Sequence, residues 1–94
     1  MLKYLEDHIL EELDGAVDYM TEAVAHKGKV CGEQFRMMSD AEAGHANILL
    51  KMFNERERPE DVSETEYATM LKNIMDKYST AMTTVENLKR VYWS

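Results

Sequence analysis

One stretch constrains this chain more than any other: Met38-Ser39-Asp40-Ala41-Glu42-Ala43-Gly44-His45-Ala46-Asn47-Ile48-Leu49. At about 100° per residue it reads as a helix, and Cys31, Phe35, Leu49, Met52 and Phe53 fall within about 60° of Met38. Those residues predict a core-facing stripe. Glu42 and His45 fall inside the same stripe, three residues apart and one above the other. A carboxylate in a core stripe is costly unless a charge or a hydrogen bond meets it. Two readings follow. One is structural, a buried Glu-His hydrogen bond or a wetted stripe edge. The other is a metal held by one carboxylate and one imidazole of a single helical turn, both aimed inward.

The flanking segments keep the same period. Around Ile9, the residues Leu2, Leu5, Leu13, Ala16, Met20, Ala23 and Val24 cluster within about 60°, predicting a first helix over about residues 2–26. Lys27-Gly28-Lys29 breaks it, with Gly28 suited to the left-handed conformation that ends helices. The second helix is expected over about 30–57, ending before Pro59. Ser63-Glu64-Thr65-Glu66 has the form of a capping box and opens a third helix over about 64–92. Its stripe is Tyr67, Met70, Leu71, Ile74, Tyr78, Met82, Val85, Leu88 and Tyr92. No strand pattern, internal repeat or low-complexity tract interrupts this order. The expected fold is all-α: an antiparallel helical hairpin plus a third helix, one domain over residues 1–94, dimerising into a four-helix bundle.

Charge and composition narrow the function. The formal net charge is −7, which argues against nucleic acid and anionic membrane surfaces and favours cationic partners, metal ions included. No apolar run approaches the roughly 18 residues of a membrane span. The acidic start lacks a signal-peptide pattern, and the single cysteine, Cys31, forms no internal disulfide. A cytoplasmic location is the simplest expectation. Met37, Met38, Met52, Met70, Met75 and Met82 are expected as core fillers.

Most acids of the first helix point away from its stripe: Asp7, Glu11, Asp14, Asp18 and Glu22 form a solvated face. Glu12 lies at one border of the stripe, with Tyr19 seven residues on along the same edge, and Glu6 lies at the other border. In an antiparallel hairpin about Gly28, Glu12 stands 16 residues before the bend and Glu42 14 after it. At about 1.5 Å per residue these are roughly 24 and 21 Å from the turn, nearly one level. Glu12, Glu42 and His45 therefore converge, and the metal reading gains over the structural one. They make half of the ligand set of a di-iron carboxylate bundle, which takes two glutamates and two Glu-x-x-His pairs. No histidine follows His45, so the third helix cannot supply the second pair, whereas a second copy of the chain can. Carboxylate and imidazole donors suit iron or manganese.

Glu12-x6-Tyr19, then Glu42-Ala43-Gly44-His45-Ala46 followed by Ile48-Leu49-Leu50, resembles the ferritin-like superfamily. Over about residues 5–53 the pattern is most similar to the half-length encapsulated ferritins, and more distantly to the rubrerythrins. The resemblance implies Glu12, Glu42 and His45 as iron ligands and Tyr19 as a neighbour of the centre. It implies a bundle formed by two chains, within a larger ring, and ferroxidase activity at a di-iron centre for iron storage or detoxification. It also implies a separate encapsulin shell, with Glu11 and Asp14 as weaker iron-attracting positions. Two positions depart from the pattern: Asp18 stands where an aromatic is expected, and Lys89-Arg90-Val91-Tyr92-Trp93-Ser94 shows no shell-targeting tail. Two other functions are set beside this one: a peroxide reductase like the rubrerythrins, and a metal-free helical oligomerisation module.

Overall fold

The computed structural model describes residues 1–94 as three helices in an elongated bundle of 51 × 17 × 15 Å. Helix α1 spans Leu2–Ala25, α2 Val30–Glu55 and α3 Glu64–Tyr92. The fold is all-α. Gly28 takes φ +84° at the first turn, the left-handed conformation its lack of Cβ permits. Ser63 caps α3, its hydroxyl oxygen accepting from the Glu66 backbone N–H at 3.1 Å. Helix α2 ends two residues earlier than the proline rule suggests, with Arg56 already extended. No helix is long and apolar enough to cross a membrane.

Helix α1 is the centre of the molecule, and α2 and α3 flank it. Its buried residues recur at intervals of seven, as Leu2-Ile9-Ala16-Ala23 and Glu6-Leu13-Met20. The buried residues of α2 do the same: Gly32, Ser39, Ala46 and Phe53. A seven-residue repeat keeps one seam facing the partner helix, as in coiled-coil packing. Most of this seam is made of small side chains, so the two backbones approach closely. An added Cβ at Gly32 would lie 2.2 Å from the carbonyl oxygen of His26, so only glycine fits there. Ser39, fully buried, donates from Oγ to the Ala16 carbonyl at 2.6 Å. That bond satisfies a polar group that would otherwise be costly to bury, and it fixes the register of α2 on α1. Phe53 fills the wide end of the seam and stacks on Tyr67 of α3 at 5.5 Å.

Helix α3 runs parallel to α1 and is tied at its far end by polar contacts. Tyr92 donates to Glu33 at 2.7 Å, Lys89 pairs with Asp40 at 2.7 Å, and Lys27 donates to the Ser94 carbonyl at 2.6 Å. Arg36 bridges Glu33 and Asp40 and lies over the Trp93 ring at 5.4 Å. With two donors on it, the Glu33 carboxyl is held at about 2, first by the Arg36 hydrogen bond and then by Tyr92.

Four expectations change here. The stripe centred on Met38 is not the seam inside the chain. That seam is centred on Ser39, about 100° around the helix, because close packing selects the small residues rather than the bulkier ones. Met38 (41% exposed) and Met52 (42%) lie on the outside, as do Met37 and Met75, so these four are not core fillers. Cys31 is only half-buried. Glu6, expected at a border, is 3% exposed: Lys3 donates to its Oε1 at 2.7 Å, and its Oε2 is sealed without a partner.

Candidate metal centre

The hairpin brings Glu12, Glu42 and His45 together. One donor atom from each lies within 4.8 Å of the others. Their equal height follows from the hairpin count, and the Ser39–Ala16 bond holds that count in place one turn from Glu42. His45 Nδ1 stands 3.6 Å from Glu12 Oε2, too far for a hydrogen bond. Glu12 Oε2 is buried and has no hydrogen-bond partner.

The inward aim expected of His45 is corrected. Its side chain is 58% exposed, against 22% for Glu12, because the line Met38-His45-Met52 faces away from α1 and α3. Glu42, like Glu12, is half-buried. The cluster thus lies on the outer face of the hairpin. Exposed apolar side chains on α2, Met38, Ile48 and Met52, surround its histidine.

Two acids this close raise each other's cost of ionisation. The Glu42 carboxyl is pushed up to about 6, first because its protonated form can donate to the Glu12 carboxylate, then by burial and by the Glu12 charge, with His45 pulling the other way. The folded chain therefore binds more protons at this group than the unfolded chain between about pH 4.5 and 6. Stability of the metal-free protein is expected to fall as pH rises through that window and to level off above it. A bound cation must displace that proton, so divalent-metal affinity is expected to weaken as pH drops below about 6. Calorimetric titration with Mn²⁺ in buffers of different ionisation enthalpy measures the proton released. Uptake of metal at pH 5 as tight as at pH 7, with no proton release, would contradict this.

The residues fit a divalent cation on two grounds. Once Glu42 is ionised, the buried Glu12 Oε2 has no hydrogen-bond donor, and a cation is the partner such an atom requires. Gly15, one turn after Glu12, leaves a cradle for the Glu42 carboxylate: a Cβ built there would stand 2.9 Å from Glu42 Oε2. Two carboxylates and an imidazole are a donor set for iron or manganese.

The other expected site residues lie further out. Tyr19 is two turns along α1 from Glu12, stacked on Phe35 at 6.3 Å, and Phe35 stacks in turn on His26 at 5.7 Å. Glu11 is exposed, and Asp14 forms an ion pair with Lys77 of α3. The residues that sequence reasoning passed over are Gly15 and Ser39. Each left a signal: a glycine inside a long helix costs about 1 kcal/mol relative to alanine, and a serine takes its place in the series Gly32-Ser39-Ala46-Phe53.

A Glu and a Glu-x-x-His drawn together across a helical hairpin is the arrangement from which carboxylate metal sites in helical bundles are built. The rubrerythrin family model matches residues 3–93, nearly the whole chain, and the chain belongs to that family, within the ferritin-like superfamily. Neither a curated protein nor a solved structure matches it.

Proposed function

We propose that two copies of this chain join their hairpins around a di-iron centre and act as a ferroxidase of the encapsulated-ferritin type, for iron storage or detoxification. The observation that carries this reading is the place of the cluster. Glu12, Glu42 and His45 converge on the outer face of the hairpin, where one chain leaves the ligand set half complete. Around His45 the apolar side chains Met38, Ile48 and Met52 remain exposed in the single chain. A two-fold partner seated there would supply the same three donors again and cover those side chains at once. Glu12 and Glu42 would hold the Fe²⁺ substrate as carboxylates, and His45 through an imidazole nitrogen. Oxidation of two Fe²⁺ by O₂ with two protons yields two Fe³⁺ and H₂O₂. The surplus of acid groups over the chain concentrates Fe²⁺ at the surface, with Glu11 among the exposed carboxylates of α1. Assembly of dimers into a ring and packaging in a cytoplasmic encapsulin shell belong to the same proposal.

A second reading is favoured by the family itself, whose match runs over residues 3–93. In that reading H₂O₂ is the oxidant: two Fe²⁺, H₂O₂ and two protons give two Fe³⁺ and two waters. One experiment addresses both. Native mass and melting temperature are measured with and without anaerobic Fe²⁺, and the loaded protein is then exposed to O₂ or H₂O₂. Two Fe²⁺ per dimer, a raised melting temperature and faster oxidation by O₂ are expected. Faster oxidation by H₂O₂ selects the reductase. No change of mass or melting with Fe²⁺ leaves the metal-free module.

A further inference from the structure

The cradle over Gly15 has a consequence for the ligand that lies in it. We infer that Gly15 is a positioning residue of the metal centre: its missing side chain is what lets the Glu42 carboxylate reach towards Glu12. This rests on the reading of Glu12, Glu42 and His45 as metal ligands.

Gly15 sits inside α1, three residues after Glu12 and beside the fully buried Ala16. Its φ is negative, as in any helical residue, so nothing in the backbone requires glycine. The three atoms nearest to a Cβ built at this position all belong to Glu42, with Oε2 at 2.9 Å and the Cγ and Cδ carbons at 3.4 Å. The first distance is too short for a real contact, so something would have to shift. The helices are held against sliding, because the Ser39 hydroxyl is bonded to the Ala16 carbonyl in the sealed seam at this level. What yields is the far end of the flexible Glu42 side chain. Alanine at 15 would leave the fold intact and turn the carboxylate out of the space it shares with Glu12.

Gly44 provides the comparison. It is also a helix-interior glycine, next to His45, yet a Cβ there meets nothing within 4 Å. The same substitution at the two positions adds the same helix propensity and differs in what the new Cβ meets.

The test compares wild type, Gly15→Ala and Gly44→Ala by thermal melting without metal and by anaerobic calorimetric titration with Fe²⁺. Both variants are expected to melt at or above the wild-type temperature when metal-free. Gly15→Ala is expected to lose about 10- to 100-fold in Fe²⁺ affinity, the range typical for losing support of a ligand, and with it the melting shift that Fe²⁺ gives wild type. Gly44→Ala is expected to bind as wild type does. Equal Fe²⁺ binding by Gly15→Ala and wild type overturns the role of Gly15 and leaves the ligand assignment standing. A drop in the metal-free melting temperature of Gly15→Ala also overturns it, because the carboxylate would then not be the part that gives way. Absence of Fe²⁺ binding by wild type sinks both the ligand assignment and the role of Gly15.

Discussion

Glu42→Ala and His45→Ala are each expected to abolish Fe²⁺ binding and oxidation while leaving the chain folded. Only three donors from one chain meet at the centre, and each variant removes one, which in a two-fold site removes two of six. Loss of even an outer-shell partner weakens metal sites 10- to 100-fold, so loss of a ligand is expected to exceed about 100-fold. Neither side chain belongs to the buried seam. Above about pH 6, Glu42→Ala is expected to stabilise the metal-free protein, because it removes a carboxyl whose ionisation the fold opposes. The gain is on the order of 1 kcal/mol, given the water that reaches this half-buried group. Anaerobic Fe²⁺ titration, the ferric absorbance that follows oxygen, and melting above and below pH 6 check all three statements. Wild-type oxidation by either variant would remove the substituted residue from the site.

Replacing Met38 and Met52 together by aspartate is expected to yield a folded monomer with no iron oxidation, although Glu12, Glu42 and His45 are untouched. These methionines bracket His45 at intervals of seven on the outer line of α2 and are 41% and 42% exposed in the single chain. A charge on that line costs the fold little, since water already reaches it. Buried against a second copy, the same charges would be unpaired and heavily penalised. Native mass, circular dichroism and the oxidation assay separate the outcomes. A dimeric double variant would mean that the partner seats elsewhere. A monomeric one that oxidises Fe²⁺ at the wild-type rate would mean that one chain completes the site.

The centre was partly legible in the residues. Glu12 and Glu42 could be set at one height by counting from Gly28, because a helix rises by the same step at every residue. The pairing of Glu42 with His45 needed only the three-residue interval. The role of Gly15 was hidden, since it depends on which side chain of α2 lies over it, and no spacing along α1 carries that. Glu6 misled for a similar reason: its rotation on α1 alone made it a border residue, and its sealed carboxylate reflects a third helix whose placement the periodicity left open.

What the amino-acid order determined by itself is local. Three helices, the left-handed turn at Gly28, the Ser63 cap and the Glu42–His45 pair all follow from intervals of a few residues and from the backbone freedom of single residue types. What only the tertiary structure decided is which face of α2 turns inward. The bulky line through Met38 and Met52 carries more apolar surface, yet the line through Gly32, Ser39 and Ala46 allows the closer approach to α1, and close approach won. That choice puts His45 and its methionine neighbours on the outside, so a chain whose periodicity alone suggests an inward ligand set instead presents it to whatever packs there next.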